Sequence, residues 1–152
     1  MALLKDFRGK RITVMGLGRF GGGVGVTRWL VDRGGQVLVT DLDPAERLTE
    51  ALASIDDLVK SGRVTLRLGA HDAADFAGAH LVVANPAVPT PWKNKYLLRA
   101  QAAGVPITTE IRLVVERLPS RQRVIGVTGT AGKSTTSAMI AAALAGAGLR
   151  AH

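Results

Sequence analysis

Five short apolar runs, each followed by a stretch of helical character, constrain this chain more than any other feature. They are Arg11 to Met15 (RITVM), Gln36 to Thr40 (QVLVT), Val64 to Leu68 (VTLRL), Leu81 to Ala84 (LVVA) and Pro106 to Thr109 (PITT). Runs of four or five apolar and β-branched residues bounded by Gly, Asp or Pro read as buried strands. The segments between them predict helices over 24–33, 44–60, 71–79 and 93–103, with a further one over 110–118. Asp43 is the expected N-cap of the second, Pro44 its first residue, and Gly34, Gly62 and Gly104 follow helix ends. Strands that alternate with helices predict an α/β fold, a parallel sheet with helices on both faces, because parallel neighbours need crossovers. The prolines at 86, 89 and 91 make the stretch after the fourth run a loop.

Pro119-Ser120 interrupts the pattern. Beyond it the sequence predicts one more strand, Val124 to Val127, a glycine turn, and an alanine-rich helix from Lys133 to about Ala147. The expected division is residues 1–109 as one Rossmann-like domain and 110–152 as the start of a second, ATPase-like domain that is cut short.

Composition narrows the function. Of 152 residues none is Cys, which excludes a disulfide scaffold and a thiolate metal site. The charged N-terminus and the lack of a long apolar run predict neither a signal peptide nor a membrane span, and a cytoplasmic protein. The net charge of +8 is scattered from Lys5 to Arg150 and only six aromatics accompany it, so nucleic acid is not an expected partner. His71, His80 and His152 are too dispersed for a metal site, and Trp29 reads as core on an apolar helix face.

Eighteen glycines are an excess over the usual share, and two loops hold many of them. Gly16-Leu17-Gly18-Arg19-Phe20-Gly21 follows the first strand and opens a helix, the context in which GxGxxG presents backbone N–H groups and a helix dipole to a phosphate. Asp41 ends the second strand 20 residues after Gly21, where an acid in dinucleotide folds meets a ribose, so NAD is one expected ligand. Gly22, Gly23 and Gly25 exceed what that motif requires. The second loop runs Gly126-Val127-Thr128-Gly129-Thr130-Ala131-Gly132-Lys133-Ser134-Thr135. Its amides can nest nucleotide phosphates, Lys133 can reach the terminal ones, and the Ser134 or Thr135 hydroxyl can ligate magnesium. Val127 stands where the strict P-loop has glycine.

TGTAGKSTT, together with GLGRFG, NPAVP and AGVPITTEIRLV, resembles the Mur ligases, and within them the branch that adds D-glutamate to UDP-N-acetylmuramoyl-L-alanine in peptidoglycan synthesis. The resemblance implies that the first domain binds the UDP moiety. Gly18, Arg19, Phe20 and Gly21 would lie by the diphosphate, and Asp41, Asn85 and Ala87 would line the site around the uracil. It implies ATP and Mg2+ at the second loop, with Gly129, Thr130, Ala131, Gly132, Lys133, Ser134 and Thr135 as the ATP site and Lys133 as the catalytic residue. Arg19 and Phe20 depart from the small or aliphatic residues common there, and Leu42-Asp43 from a hydroxyl and a base. The chain reads as the N-terminal part of a longer ligase, inactive alone. The alternatives are a Mur ligase that adds another amino acid, an NAD-dependent oxidoreductase domain, and a nucleotide-binding regulatory module without enzymatic activity.

Overall fold

A computed structural model of the chain describes residues 6–18 and 22–151. Five strands, β1 (Arg11–Met15), β2 (Gln36–Asp41), β3 (Val64–Leu68), β4 (Leu81–Ala84) and β5 (Ile107–Thr108), form one parallel sheet in the order β3-β2-β1-β4-β5. Ile12 pairs with Val37 on one side and Leu81 on the other, which sets the register at the centre. The crossovers carry α1 (Gly22–Asp32), α2 (Thr49–Ala53) with α3 (Asp56–Lys60), α4 (Ala73–Ala77) and α5 (Lys95–Ala102). After β5 comes α6 (Glu110–Val115), and after the linker α7 (Lys133–Gly146).

Alternation along each strand divides the apolar side chains between two layers. Ile12, Val14, Val37, Val39, Leu81 and Val83 pack with Val26, Leu30 and Val31 of α1, Ile55, and Leu113 of α6. Met15, Val82 and Ala84 face the other way, onto Phe76 of α4 and Leu97 and Ala100 of α5. The sheet is thus covered on both faces, as the sequence predicts. Helix α1 ends where expected: Gly34 has φ +85°, and the Gly34 and Gly35 amides donate to the Val31 and Leu30 carbonyls at 2.9 and 3.0 Å. Trp29 is half-buried, edge-on to Phe7 with ring centroids 5.4 Å apart, and the Arg33 guanidinium lies 3.9 Å over its ring.

Three expectations need correction. The helix predicted over 44–60 is broken into a 3-10 turn at Ala45–Arg47, then α2 and α3. Pro44 is extended and Asp43 makes no side-chain cap; its carboxylate pairs instead with Arg47 at 3.3 Å. The later break follows from Ser54, whose hydroxyl donates back to the Glu50 carbonyl while its own carbonyl accepts from the Arg28 guanidinium instead of the helical ladder. Helix α5 begins at Lys95 and not at Lys93, because Asn94 caps it by accepting from the Tyr96 and Leu97 amides at 3.0 and 3.2 Å. The predicted strand Val124 to Val127 does not form; no other strand among the described residues pairs with it, and a lone strand has no ladder to join.

The backbone separates into two compact units, residues 1–117 and 118–152. Leu113 of α6 is buried in the first core, which keeps 110–117 with the sheet.

Candidate functional site

In doubly wound sheets ligands bind beyond the carboxyl ends of the strands, in the crevice where neighbouring connections diverge. Here that point lies between β1 and β4. A groove of about 290 Å3 opens at the other ends of the strands, lined by Arg11, Gln36, Thr65, Asp75 and Gly78 among others, and is not in that position.

At the carboxyl end of β1, Gly16 takes φ +91° and Gly18 φ +72°, left-handed conformations that glycine adopts without strain. The turn is held by Asp41. Its Oδ2 accepts from the Leu17 and Gly18 amides at 2.8 and 3.2 Å, and its Oδ1 from the Asp43 amide at 2.9 Å. The Gly16 amide adds a bond to the Thr40 carbonyl at 2.8 Å. The half-buried acid at the end of β2 is therefore a strut of the glycine turn, and it already engages the Gly18 amide, which is expected to face an anion. Arg19, Phe20 and Gly21 lie outside the described residues.

Gly23 makes the close helix approach that the fingerprint assigns to its third glycine. A Cβ at Gly23 would fall 2.5 Å from the Gly16 carbonyl oxygen and 2.6 Å from Leu17 Cα, and its amide donates to the Leu17 carbonyl at 3.0 Å. The glycine run thus has separate tasks: Gly16 and Gly18 for the turn, Gly23 for packing, Gly22 and Gly25 for the exposed side of α1. On that side Glu110 is the neighbour; sequence reading missed it because it lies 85 residues beyond Gly25. Burial pushes its carboxyl above the usual glutamate range.

Asn85 closes the crevice from β4. Its amide donates to the Met15 carbonyl at 3.0 Å and its Oδ1 accepts from the Ala87 amide at 2.9 Å. Cβ atoms placed on Gly16 and Gly18 would lie 3.0 Å from Asn85 Cβ and 3.2 Å from its Nδ2, so the side chain rests on the glycine turn. The structure thus brings Gly18, Asp41 and Asn85 together, with Ala87 exposed in the adjoining loop. Leu42, 63% exposed, stands beside them in the chain where a hydroxyl is common in the family the sequence resembles.

His71, just past β3, is a second residue that sequence reading set aside. Its Nδ1 lies 2.7 Å from the buried Thr40 Oγ1, and Phe76 and Tyr96 meet its ring edge-on at 5.7 and 5.1 Å. Burial lowers its pKa below the ordinary 6.5, against the opposing pull of the Asp41 and Asp75 carboxylates. Its signal in sequence is only its place after a third strand. No group of His, Asp or Glu among the described residues is arranged to hold a metal ion.

In the second unit, Gly132 has φ +78° and caps α7 without a side-chain hydrogen bond. Lys133 opens the helix and folds back, its Nζ donating to the Gly129 carbonyl at 2.7 Å. Thr130, Ala131, Ser134 and Thr135 are exposed around the same turn. Among the described residues no helix is long and apolar enough to cross a membrane.

A parallel 3-2-1-4-5 sheet with a glycine turn after its first strand and an acid at the end of its second defines a Rossmann-like α/β domain. The comparisons make this particular: residues 10–109 match the family of the Mur ligase MurD-like N-terminal domain, and the chain belongs to it. The UDP-N-acetylmuramoylalanine--D-glutamate ligase of Anaeromyxobacter dehalogenans is 42% identical over 92% of this chain and 28% of its own length. That of Roseiflexus sp. is also 42% identical, over 90% of this chain and 28% of its own length. Among solved structures, a pseudomurein peptide ligase type C from Methanothermus fervidus superposes with a TM-score of 0.52 at 26% identity, covering 86% of this chain and 25% of that one. The chain therefore spans about 28% of the length of the curated relatives it matches.

Proposed function

We propose that this chain is the nucleotide-substrate-binding part of a cytoplasmic, ATP-dependent ligase that joins D-glutamate to UDP-N-acetylmuramoyl-L-alanine. The observation that carries the reading is the match of residues 10–109 to the MurD-like N-terminal family, together with relatives named as D-glutamate ligases. In this reading the front crevice takes the UDP moiety: Gly18, Arg19, Phe20 and Gly21 lie by the diphosphate, and Asp41, Asn85 and Ala87 form the adjoining wall. Asp41 acts largely through the turn it braces, since its carboxylate is engaged by the Leu17 and Gly18 amides. That engagement also weighs against an NAD-binding role, which needs the same acid turned outward to a ribose.

The second unit fits a nucleotide triphosphate with magnesium. The start of α7 has no side-chain cap, which leaves first-turn amides for an anion, and a lysine and two hydroxyls stand on that turn. Gly129, Thr130, Ala131, Gly132, Lys133, Ser134 and Thr135 would form this site. Lys133 would supply positive charge to the phosphates and the Ser134 or Thr135 hydroxyl an oxygen ligand to Mg2+. The bound nucleotide would supply a phosphoryl group to the substrate carboxylate, releasing ADP. The amine of D-glutamate then attacks the acyl carbon and phosphate leaves, forming the amide.

Calorimetric titration of the 152-residue chain tests the front site. Binding of UDP-N-acetylmuramoyl-L-alanine without binding of NADH is expected, and the opposite selectivity would overturn the assignment. The chain alone is expected to form no amide.

A further inference from the structure

The carboxyl ends of β2 and β3 are fastened to each other. Asp41 stands opposite Leu68 in the ladder, and the Gly69 amide donates to the Asp43 carbonyl at 3.1 Å. Leu42 and His71 are thereby brought onto one rim of the sheet. Leu42 offers an exposed apolar surface there, while His71 is half-buried.

His71 keeps one ring nitrogen free. Its Nδ1 lies 2.7 Å from Thr40 Oγ1, which is also 3.3 Å from the Ala70 carbonyl oxygen. The hydroxyl has a single proton. Given to Ala70, that proton leaves Oγ1 to accept from Nδ1–H, so all three groups are satisfied and Nε2 carries a lone pair. The other tautomer strips the Ala70 carbonyl of its donor. Nε2 makes no hydrogen bond among the described residues. The Thr27 hydroxyl is the sole buried polar side-chain atom among them without a partner, so Nε2 is open to solvent. Phe76 and Tyr96 meet the ring at 80° and 79° and fix its plane.

The sheet order β3-β2-β1 decides what reaches this rim. In a nucleotide laid across the carboxyl ends, the phosphates lie at β1 and the ribose at β2. The base then lies about 5 Å farther on, one strand spacing away, at the end of β3. Asp41 is not free to read it, since its carboxylate accepts from three backbone amides.

We infer that His71 reads the base of the nucleotide, its Nε2 accepting the N3–H of uracil while Leu42 covers one face of the ring. The inference rests on the front crevice being the UDP site. Cytosine has a lone pair at N3 in place of that hydrogen. It either meets Nε2 lone pair to lone pair or forces the imidazole into the tautomer that loses the Ala70 bond. Protonation of His71 removes the preference for uracil, because an imidazolium Nε2 only donates. The groups around the ring are Asp41 at the end of β2, Tyr96 of α5, and Asp75 of α4, which pairs with Arg67 of β3 beside Asp72. Burial outweighs the pull of the Asp41 and Asp75 carboxylates and keeps the imidazole neutral at pH 7.

The test is calorimetric titration of the 152-residue chain and its His71→Phe variant with UDP and with CDP, between about pH 5.5 and 8. The two nucleotides carry the same diphosphate, so their affinity ratio at each pH reports on the base alone. The unaltered chain is expected to prefer UDP about fivefold at the alkaline end, the worth of one hydrogen bond, and to lose the preference towards acid. His71→Phe keeps an aromatic ring against Phe76 and Tyr96 and should bind both nucleotides alike at every pH. Should that variant fold poorly, N3-methyl-UDP decides with the unaltered chain: it lacks the hydrogen and should bind no better than CDP. Equal binding of UDP and CDP to the unaltered chain, a UDP preference retained in His71→Phe, or N3-methyl-UDP bound as tightly as UDP would each overturn the inference while leaving the UDP site standing. Failure of UDP and CDP to bind either chain would remove the UDP site, and this inference with it.

Discussion

Replacement of Gly23 by alanine is the sharpest test of how the glycine turn and α1 are joined. The added methyl would meet three backbone atoms, the Gly16 oxygen at 2.5 Å and Leu17 Cα and oxygen at 2.6 Å each. None is the end of a flexible side chain, so the start of α1 has to move away by several tenths of an ångström. That movement strains the 3.0 Å bond from the Gly23 amide to the Leu17 carbonyl. Overpacking of this kind costs about 1–3 kcal/mol, and a weakened buried hydrogen bond adds about 1 kcal/mol. Alanine returns about 1 kcal/mol through its better helix propensity. The net is a loss of about 2 kcal/mol, which for a unit of this size lowers the melting temperature by roughly 10 °C. Gly22→Ala is the internal control, since its methyl meets only Glu110 Oε2 at 3.6 Å and it should be neutral or stabilising by about 0.5–1 kcal/mol. Urea unfolding followed by Trp29 fluorescence, with thermal melts by circular dichroism, measures both. Equal midpoints for the two variants would refute the close-approach argument.

Other positions give independent checks. Asp41→Ala removes the acceptor of three backbone amides and is expected to cost about 2–3 kcal/mol in urea unfolding; a loss below 0.5 kcal/mol would contradict its role as a strut. Thr27 is fully buried in α1 and its hydroxyl has no hydrogen-bond partner among the described residues, so Thr27→Val should raise stability by about 1 kcal/mol, and a lowered melting temperature would count against it. His71 has a lowered pKa in the fold, so the stability it contributes is full above the ordinary 6.5 and is lost as pH falls through the lowered value. Urea midpoints of the unaltered chain should therefore fall on the acid side of 6.5 more steeply than those of His71→Phe, and parallel curves would refute this.

The sheet was legible because each of the first four strands is a run rich in β-branched and aliphatic residues closed by Gly, Asp or Asn, a signal local enough to survive without tertiary information. Arg11 to Met15 and Val64 to Leu68 have the expected bounds for that reason. The helix over 44–60 was not legible, since its break depends on Arg28, 26 residues before Ser54, taking a carbonyl from the ladder. The strand expected at 124–127 has the right composition, but a strand exists only with a neighbour. In the site, the glycines and Asp41 were readable as a motif, whereas the direction of the Asp41 carboxylate was not. Glu110 and His71 were hidden because their importance comes from what faces them across the fold, and a lone charged residue at a helix start usually signals only a favourable dipole.

Asn85 has a consequence for how such a site changes over time. Because this one side chain sits on Gly16 and Gly18 while its own oxygen is tied to Ala87, it sets the depth of the cleft from the β4 side alone. A smaller residue there would lower the floor and a larger one would raise it and press on the glycine turn it rests on. The depth of the cleft can thus drift through a single codon.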